Sequence, residues 1–117
     1  MKKILIVDDA VFMRLILKEI LEKNEYEVIG QAKDGMEAVE KYKLLKPDIV
    51  TLDVTMPMMD GIEALKQIKA YNKEATVMMI SSMGQEAIVK QATDAGAKGF
   101  IVKPYDEETI VRAFNKL

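Results

Sequence analysis

Four charged positions lie where short apolar runs stop. Asp8 and Asp9 follow Ile4-Leu5-Ile6-Val7, Asp53 follows Ile49-Val50-Thr51-Leu52, and Lys103 follows Phe100-Ile101-Val102. Carboxylates hold hard divalent cations, and a carboxylate can also take a phosphoryl group as an aspartyl phosphate. Short β-branched runs of this kind read as buried parallel strands. Open α/β sheets bind ligands beyond the carboxyl ends of such strands. If the three runs are neighbours, their tips gather three acids and one ammonium in a single pocket, suited to a divalent metal and a phosphoryl group.

Composition narrows the chemistry further. The chain has no cysteine and no histidine, so disulfides, thiolate or imidazole metal ligands and His general-base catalysis are excluded. A metal must therefore be held by oxygen, which favours Mg²⁺, Ca²⁺ or Mn²⁺. The formal charge of −2 gives no electrostatic reason to expect nucleic acid or an anionic membrane. Apolar runs are far shorter than a membrane span needs, and Asp8-Asp9 end the first one too early for a signal peptide. The expectation is one cytoplasmic domain, residues 1–117, and a monomer.

Within the pocket, Asp53 is the nucleophile candidate. Phosphoryl transfer depends on in-line geometry and charge neutralisation more than on acid–base groups. Asp9 and Asp53 are expected to bind the metal directly, Asp8 through water, and the Thr55 carbonyl can fill a further position. Lys103 neutralises a phosphoryl oxygen, and Pro104 after it is a candidate for a cis peptide that aims the lysine. Ser81 can donate its hydroxyl to a phosphoryl oxygen, while small Ser82 leaves the pocket open. Read alone, Ser81-Ser82 are turn hydroxyls, Phe100 is a core aromatic, and single acids after strands are solvated loop residues or caps. Met58, Met59 and Met83 fall in loops beside the pocket, where flexible side chains suit an adaptable surface.

These residues need a scaffold of five strands alternating with five helices. The expected strands are Lys3 to Val7, Glu27 to Ala32, Ile49 to Leu52, Thr76 to Ile80 and Gly99 to Val102. The expected helices are Val11 to Asn24, Gly35 to Leu45, Gly61 to Tyr71, Gln85 to Ala95, and a fifth from Asp106 to the C-terminus. Helix one carries an apolar stripe at positions 12, 13, 16, 17, 20 and 21. Asp34 and Asp106 are N-caps, Lys46-Pro47-Asp48 stops helix two, and Gly96 closes helix four. Such alternation implies a doubly wound α/β fold with a parallel sheet covered on both faces.

Together these marks resemble the receiver domain of two-component response regulators, most closely the stand-alone chemotaxis regulators of the CheY type. The resemblance spans essentially the whole chain. It rests on Val7-Asp8-Asp9, Leu52-Asp53 with Met56-Pro57 and Asp60-Gly61, Ser81-Ser82, and Lys103-Pro104, all in order. It implies the flavodoxin-like strand order 2-1-3-4-5. It also implies that a histidine kinase donates a phosphoryl group to Asp53 with Mg²⁺, and that the domain then hydrolyses its own aspartyl phosphate. Asp8 and Asp9 match the family's metal-binding pair, Thr55 its carbonyl ligand, Ser81 the hydroxyl that shifts toward the phosphoryl group, and Phe100 the aromatic that turns inward. The motion remodels the helix-four, strand-five and helix-five surface, where a target such as a flagellar switch component docks. Phe100 stands where well-known members carry tyrosine, so no phenol hydrogen bond is available there. Thr55 and Met83 occupy positions that vary in the family and tune dephosphorylation.

Other readings compete. The domain can serve another two-component pathway or form part of a larger regulator. A magnesium-dependent phosphohydrolase also uses aspartyl phosphate, but commonly places both acids of an alternating motif after one strand and encloses substrate with a cap domain. A flavin module needs amide-rich phosphate contacts after strand one, where this chain offers Asp8-Asp9. An unphosphorylated docking scaffold would be expected to lose an acid or the lysine.

Overall fold

A computed structural model describes all residues from Met1 to Leu117. The elements run β1 (Lys3–Val7), α1 (Val11–Lys23), β2 (Glu27–Ala32), α2 (Gly35–Leu45), β3 (Ile49–Leu52), α3 (Gly61–Tyr71), β4 (Val77–Ser81), α4 (Glu86–Asp94), β5 (Gly99–Val102) and α5 (Glu107–Asn115). All strand pairs are parallel and the order is β2-β1-β3-β4-β5. The expected architecture and order are therefore observed.

Alternation along the central strands splits the core in two. Leu5, Val7, Val50, Leu52, Val77 and Met79 face one layer, packed with Ala38, Val39 and Tyr42 of α2, Ile62, Leu65 and Ile68 of α3, and Ala92 of α4. Ile4, Ile6, Ile49, Met78, Ile80 and Ile101 face the other, against Leu17 and Leu21 of α1 and Ile110 and Phe114 of α5. Both faces are buried, which is why these strands read as continuous apolar runs.

Local chemistry sets the helix starts. Asp34 accepts the Glu37 N–H at 2.8 Å, Asp60 that of Glu63 at 2.9 Å, and Asp106 that of Thr109 at 2.8 Å. The caps at Asp34 and Asp106 match expectation; the one at Asp60 adds a third. Gly96 closes α4 with a φ of 107°, a left-handed conformation that favours glycine.

Boundaries differ from the sequence-based expectation in four places. β4 is shifted by one residue, to Val77–Ser81, because Ser81 still pairs with Val102 in the ladder. α1 stops at Lys23, with Asn24 as its C-cap. α4 lies one residue inside its expected limits at each end, Gln85 and Ala95 being its caps. α5 ends at Asn115 rather than at the last residue.

Candidate functional site

Register brings the charged tips together. Val7 lies opposite Leu52 in the β1–β3 ladder, so Asp8 and Asp53 leave the sheet side by side. On the other flank Ser81 lies opposite Val102, which puts Lys103 next beyond the ladder. Strands β2 and β3 lie on opposite sides of β1, so the chain's crossovers diverge there and open a crevice at the β1 and β3 tips. Close approach behind the crevice depends on Gly61. A Cβ there would lie 1.8 Å from the Asp53 carbonyl oxygen. The bare backbone instead lets the Gly61 N–H reach the Val54 carbonyl at 2.7 Å.

Asp8, Asp9 and Asp53 each offer a carboxylate oxygen, and these oxygens lie within 4.8 Å of one another. Asp8 and Asp53 are buried and Asp9 is exposed. The Lys103 ammonium donates to Asp8 Oδ2 at 2.6 Å and to Asp53 Oδ2 at 2.8 Å. The second oxygen of each acid is held locally: Asp8 Oδ1 accepts the Ala10 N–H at 2.9 Å, and Asp53 Oδ1 the Thr55 N–H at 3.2 Å. Burial pushes the Lys103 pKa down, but the hydrogen bonds and charges of Asp53 and Asp8 outweigh it and leave it above the usual lysine value. Lys103 is therefore held in its charged form at neutral pH. Tyr105 lies within the same field: burial raises its phenol pKa, Lys103 opposes and Asp8 adds to the rise.

The remaining predicted residues differ in burial and partners. Ser81 is fully buried at the end of β4, and its Oγ accepts the Met83 N–H at 3.1 Å, leaving its own proton free to donate. Ser82 is exposed. Thr55 is exposed, and its hydroxyl donates to the Met83 thioether sulfur at 2.8 Å. The Lys103-Pro104 peptide is cis. Phe100 is half-buried and packs against the α2–α3–α4 core, as do Met59 and Met83, whereas Met58 is exposed with a φ of 71°.

Two groups beside the site are not apparent from the sequence pattern. Arg14 of α1 donates from its guanidinium to the Asp8 carbonyl, and its Nε–H donates to Gln31 Oε1 of β2 at 3.0 Å. It does leave a signal: Arg14 is the one charge between Val11 and Leu17. The second is the Thr55–Met83 contact, which joins loops 28 residues apart in the chain and has no local signature.

A cation fits this donor set. Three carboxylates and one ammonium leave two negative charges to balance, and every acidic donor is a hard oxygen. The family model described as "Response regulator receiver domain" matches residues 4–115. The chain belongs to the response-regulator receiver family. It is 56% identical to the chemotaxis protein CheY of Thermotoga maritima over 116 residues, covering 99% of this chain and 97% of that one. It is 54% identical to CheY of Bacillus subtilis, over 97% of this chain and 95% of the relative. Among solved structures, a chain of the CheX-CheY-BeF3-Mg²⁺ complex from Borrelia burgdorferi aligns with a TM-score of 0.95 and 45% identity, over 98% of this chain and 87% of that one. This receiver is thus a signalling domain of the CheY type, with an acidic pocket compatible with Mg²⁺ binding. None of its helices is long and apolar enough to cross a membrane.

Proposed function

We propose that the whole chain acts as one receiver unit that accepts a phosphoryl group from a phosphohistidine of a kinase onto Asp53 and relays the change to a chemotaxis target. The observation that carries this reading is the single ammonium of Lys103 bonded to both Asp8 and Asp53 beside a third carboxylate. Asp8, Asp9, Asp53 and the Thr55 carbonyl would hold Mg²⁺, which supplies positive charge against the phosphoryl oxygens.

The chain's own groups then perform the transfer. An Asp53 carboxylate oxygen attacks phosphorus, the P–N bond of the donor breaks, and its electron pair returns to the imidazole nitrogen. Thr55 N–H and Lys103 fix the two Asp53 oxygens beforehand, so little reorientation is needed. The product carries roughly one more negative charge than the carboxylate did. Lys103 and the free Ser81 proton are the donors placed to answer it. A move of Ser81 releases the Met83 N–H at the start of the β4–α4 loop. On β5, Val102 lies opposite Ser81 and abuts Gly84 of that loop, while Phe100 lies opposite Met79. The response therefore reaches the α4-β5-α5 surface proposed to bind a target such as a flagellar switch component. The Borrelia complex pairs its receiver with CheX, and a partner of that kind is a second candidate. Thr55, bonded through its N–H to Asp53 and through its hydroxyl to Met83, is placed to tune hydrolysis of the acyl phosphate.

The test is intact mass spectrometry after incubation with acetyl phosphate and MgCl₂. Wild type should gain the mass of one phosphoryl group, a gain prevented when EDTA replaces MgCl₂ and absent in Asp53→Asn. A variant that still incorporates phosphate at the wild-type level would overturn the assignment.

A further inference from the structure

The main chain between Asp8 and Asp9 is held more firmly than its place outside the sheet requires. The Asp8 N–H donates to the Ala32 carbonyl of β2 at 3.1 Å, and the Asp8 carbonyl accepts from the Arg14 guanidinium. That carbonyl belongs to the peptide plane leading into Asp9. Rotating the plane would swing the Asp9 carboxylate while leaving Asp8 in place on Lys103. The Ala10 N–H bond to Asp8 Oδ1 closes a turn around that peptide, and the Arg14 guanidinium holds its carbonyl oxygen. Arg14 is in turn anchored at Nε by Gln31, whose backbone carbonyl accepts from Lys41 of α2. A chain of polar contacts thus runs from α2 through edge strand β2 to the one peptide shared by two acids.

We propose that Arg14 is a positioning residue for the cation site, setting the peptide plane that joins Asp8 to Asp9. The proposal rests on the cation reading above. It makes a prediction opposite in sign to simple electrostatics. Arg14 is a cation near a cation site, so its charge alone opposes metal binding; removing it should then tighten binding. If positioning dominates, removing it weakens binding. A fixed guanidinium fork is also what a lysine cannot reproduce.

Titration calorimetry with MgCl₂ decides between them, on the full chain at neutral pH. Arg14→Met should raise the Mg²⁺ Kd by about tenfold, the low end of effects seen for groups that orient metal ligands. Arg14→Lys and Gln31→Met should raise it less, and both should keep a cooperative thermal melt in EDTA. The Asp9 amide nitrogen should shift in the metal-free NMR spectrum of each variant. Equal or tighter Mg²⁺ binding by folded variants overturns the proposal. If Arg14→Met does not fold, the two milder variants decide the matter by the same criterion. Absence of Mg²⁺ binding by wild type would instead strike the cation reading itself.

Discussion

Lys103 and Lys23 each reach an acid far away in sequence, yet the two contacts are physically unlike. The Lys103 side chain is 15% exposed and meets two acids that are themselves nearly buried. Lys23 is 72% exposed and meets Glu107, 40% exposed, at 3.2 Å. Around Lys103, water is mostly absent and each charge depends on its neighbours. Around Lys23, water competes for both partners, and such surface pairs contribute little. The difference separates a buried contact at the proposed phosphoacceptor site from an exposed one that joins α1 to α5.

Removing each lysine's partner system should expose that contrast, and the largest effect belongs to Lys103→Met. That variant leaves Asp8 and Asp53 close together with no counter-ion. Breaking a buried pair in this way costs about 3 kcal/mol. Denaturant unfolding in EDTA should show the loss, and saturating MgCl₂ should recover part of it, because a ligand bound only to the folded state stabilises it. Unchanged stability without a divalent cation would erase the distinction between the two lysines.

A smaller effect, of opposite sign, is expected one residue pair below the site. The Thr51 hydroxyl is fully buried and has no hydrogen-bond partner. It lies between Ile6 and Met78 in the ladders, on the α1–α5 side of the sheet. Burying such a group without a partner costs about 1–3 kcal/mol in proteins. Thr51→Val should therefore raise the unfolding free energy by about 1 kcal/mol. Loss of stability instead would mean that the hydroxyl is satisfied in solution. Here the comparison sharpens: the buried carboxylates Asp8 and Asp53 at the strand tips are engaged, while the one buried side-chain atom without a partner lies inside the sheet.

The same contrast explains what could be read from the chain. Strands β1 and β3 were legible because burial on both faces leaves an uninterrupted apolar run, and the charge that ends it marks the tip. The association of Asp8, Asp9, Asp53 and Lys103 followed once those tips were assumed adjacent. Strand order did not follow from periodicity; it came from the resemblance, since several right-handed topologies share one pattern of elements. The end of β4 was misplaced because Ser81 is a polar residue in a strand position, held there by its ladder with Val102. Arg14 was hidden by its helix: an arginine beside an apolar stripe carries no mark of its role until the neighbouring strand supplies an acceptor.

The α1–α5 seam offers the smallest and most diagnostic effect. Glu107 accepts from the Asn24 side chain at 3.0 Å and from Lys23 at 3.2 Å. The Asn24 hydrogen bond first, and then the Lys23 contact, lower its pKa below the usual glutamate value. A group whose pKa falls on folding stabilises the fold above its unfolded value, about 4.3 for glutamate, and that contribution disappears as pH drops through the lowered folded value. Glu107→Gln should slightly lower the melting temperature at pH 7, flatten its fall between pH 5 and 3 (roughly the range set by that unfolded value), and make it less sensitive to added salt. Thermal melts of both proteins across that range, at low and high salt, measure all three. A loss at neutral pH as large as that of Lys103→Met would place the seam among the buried contacts, since solvent would then not be weakening it.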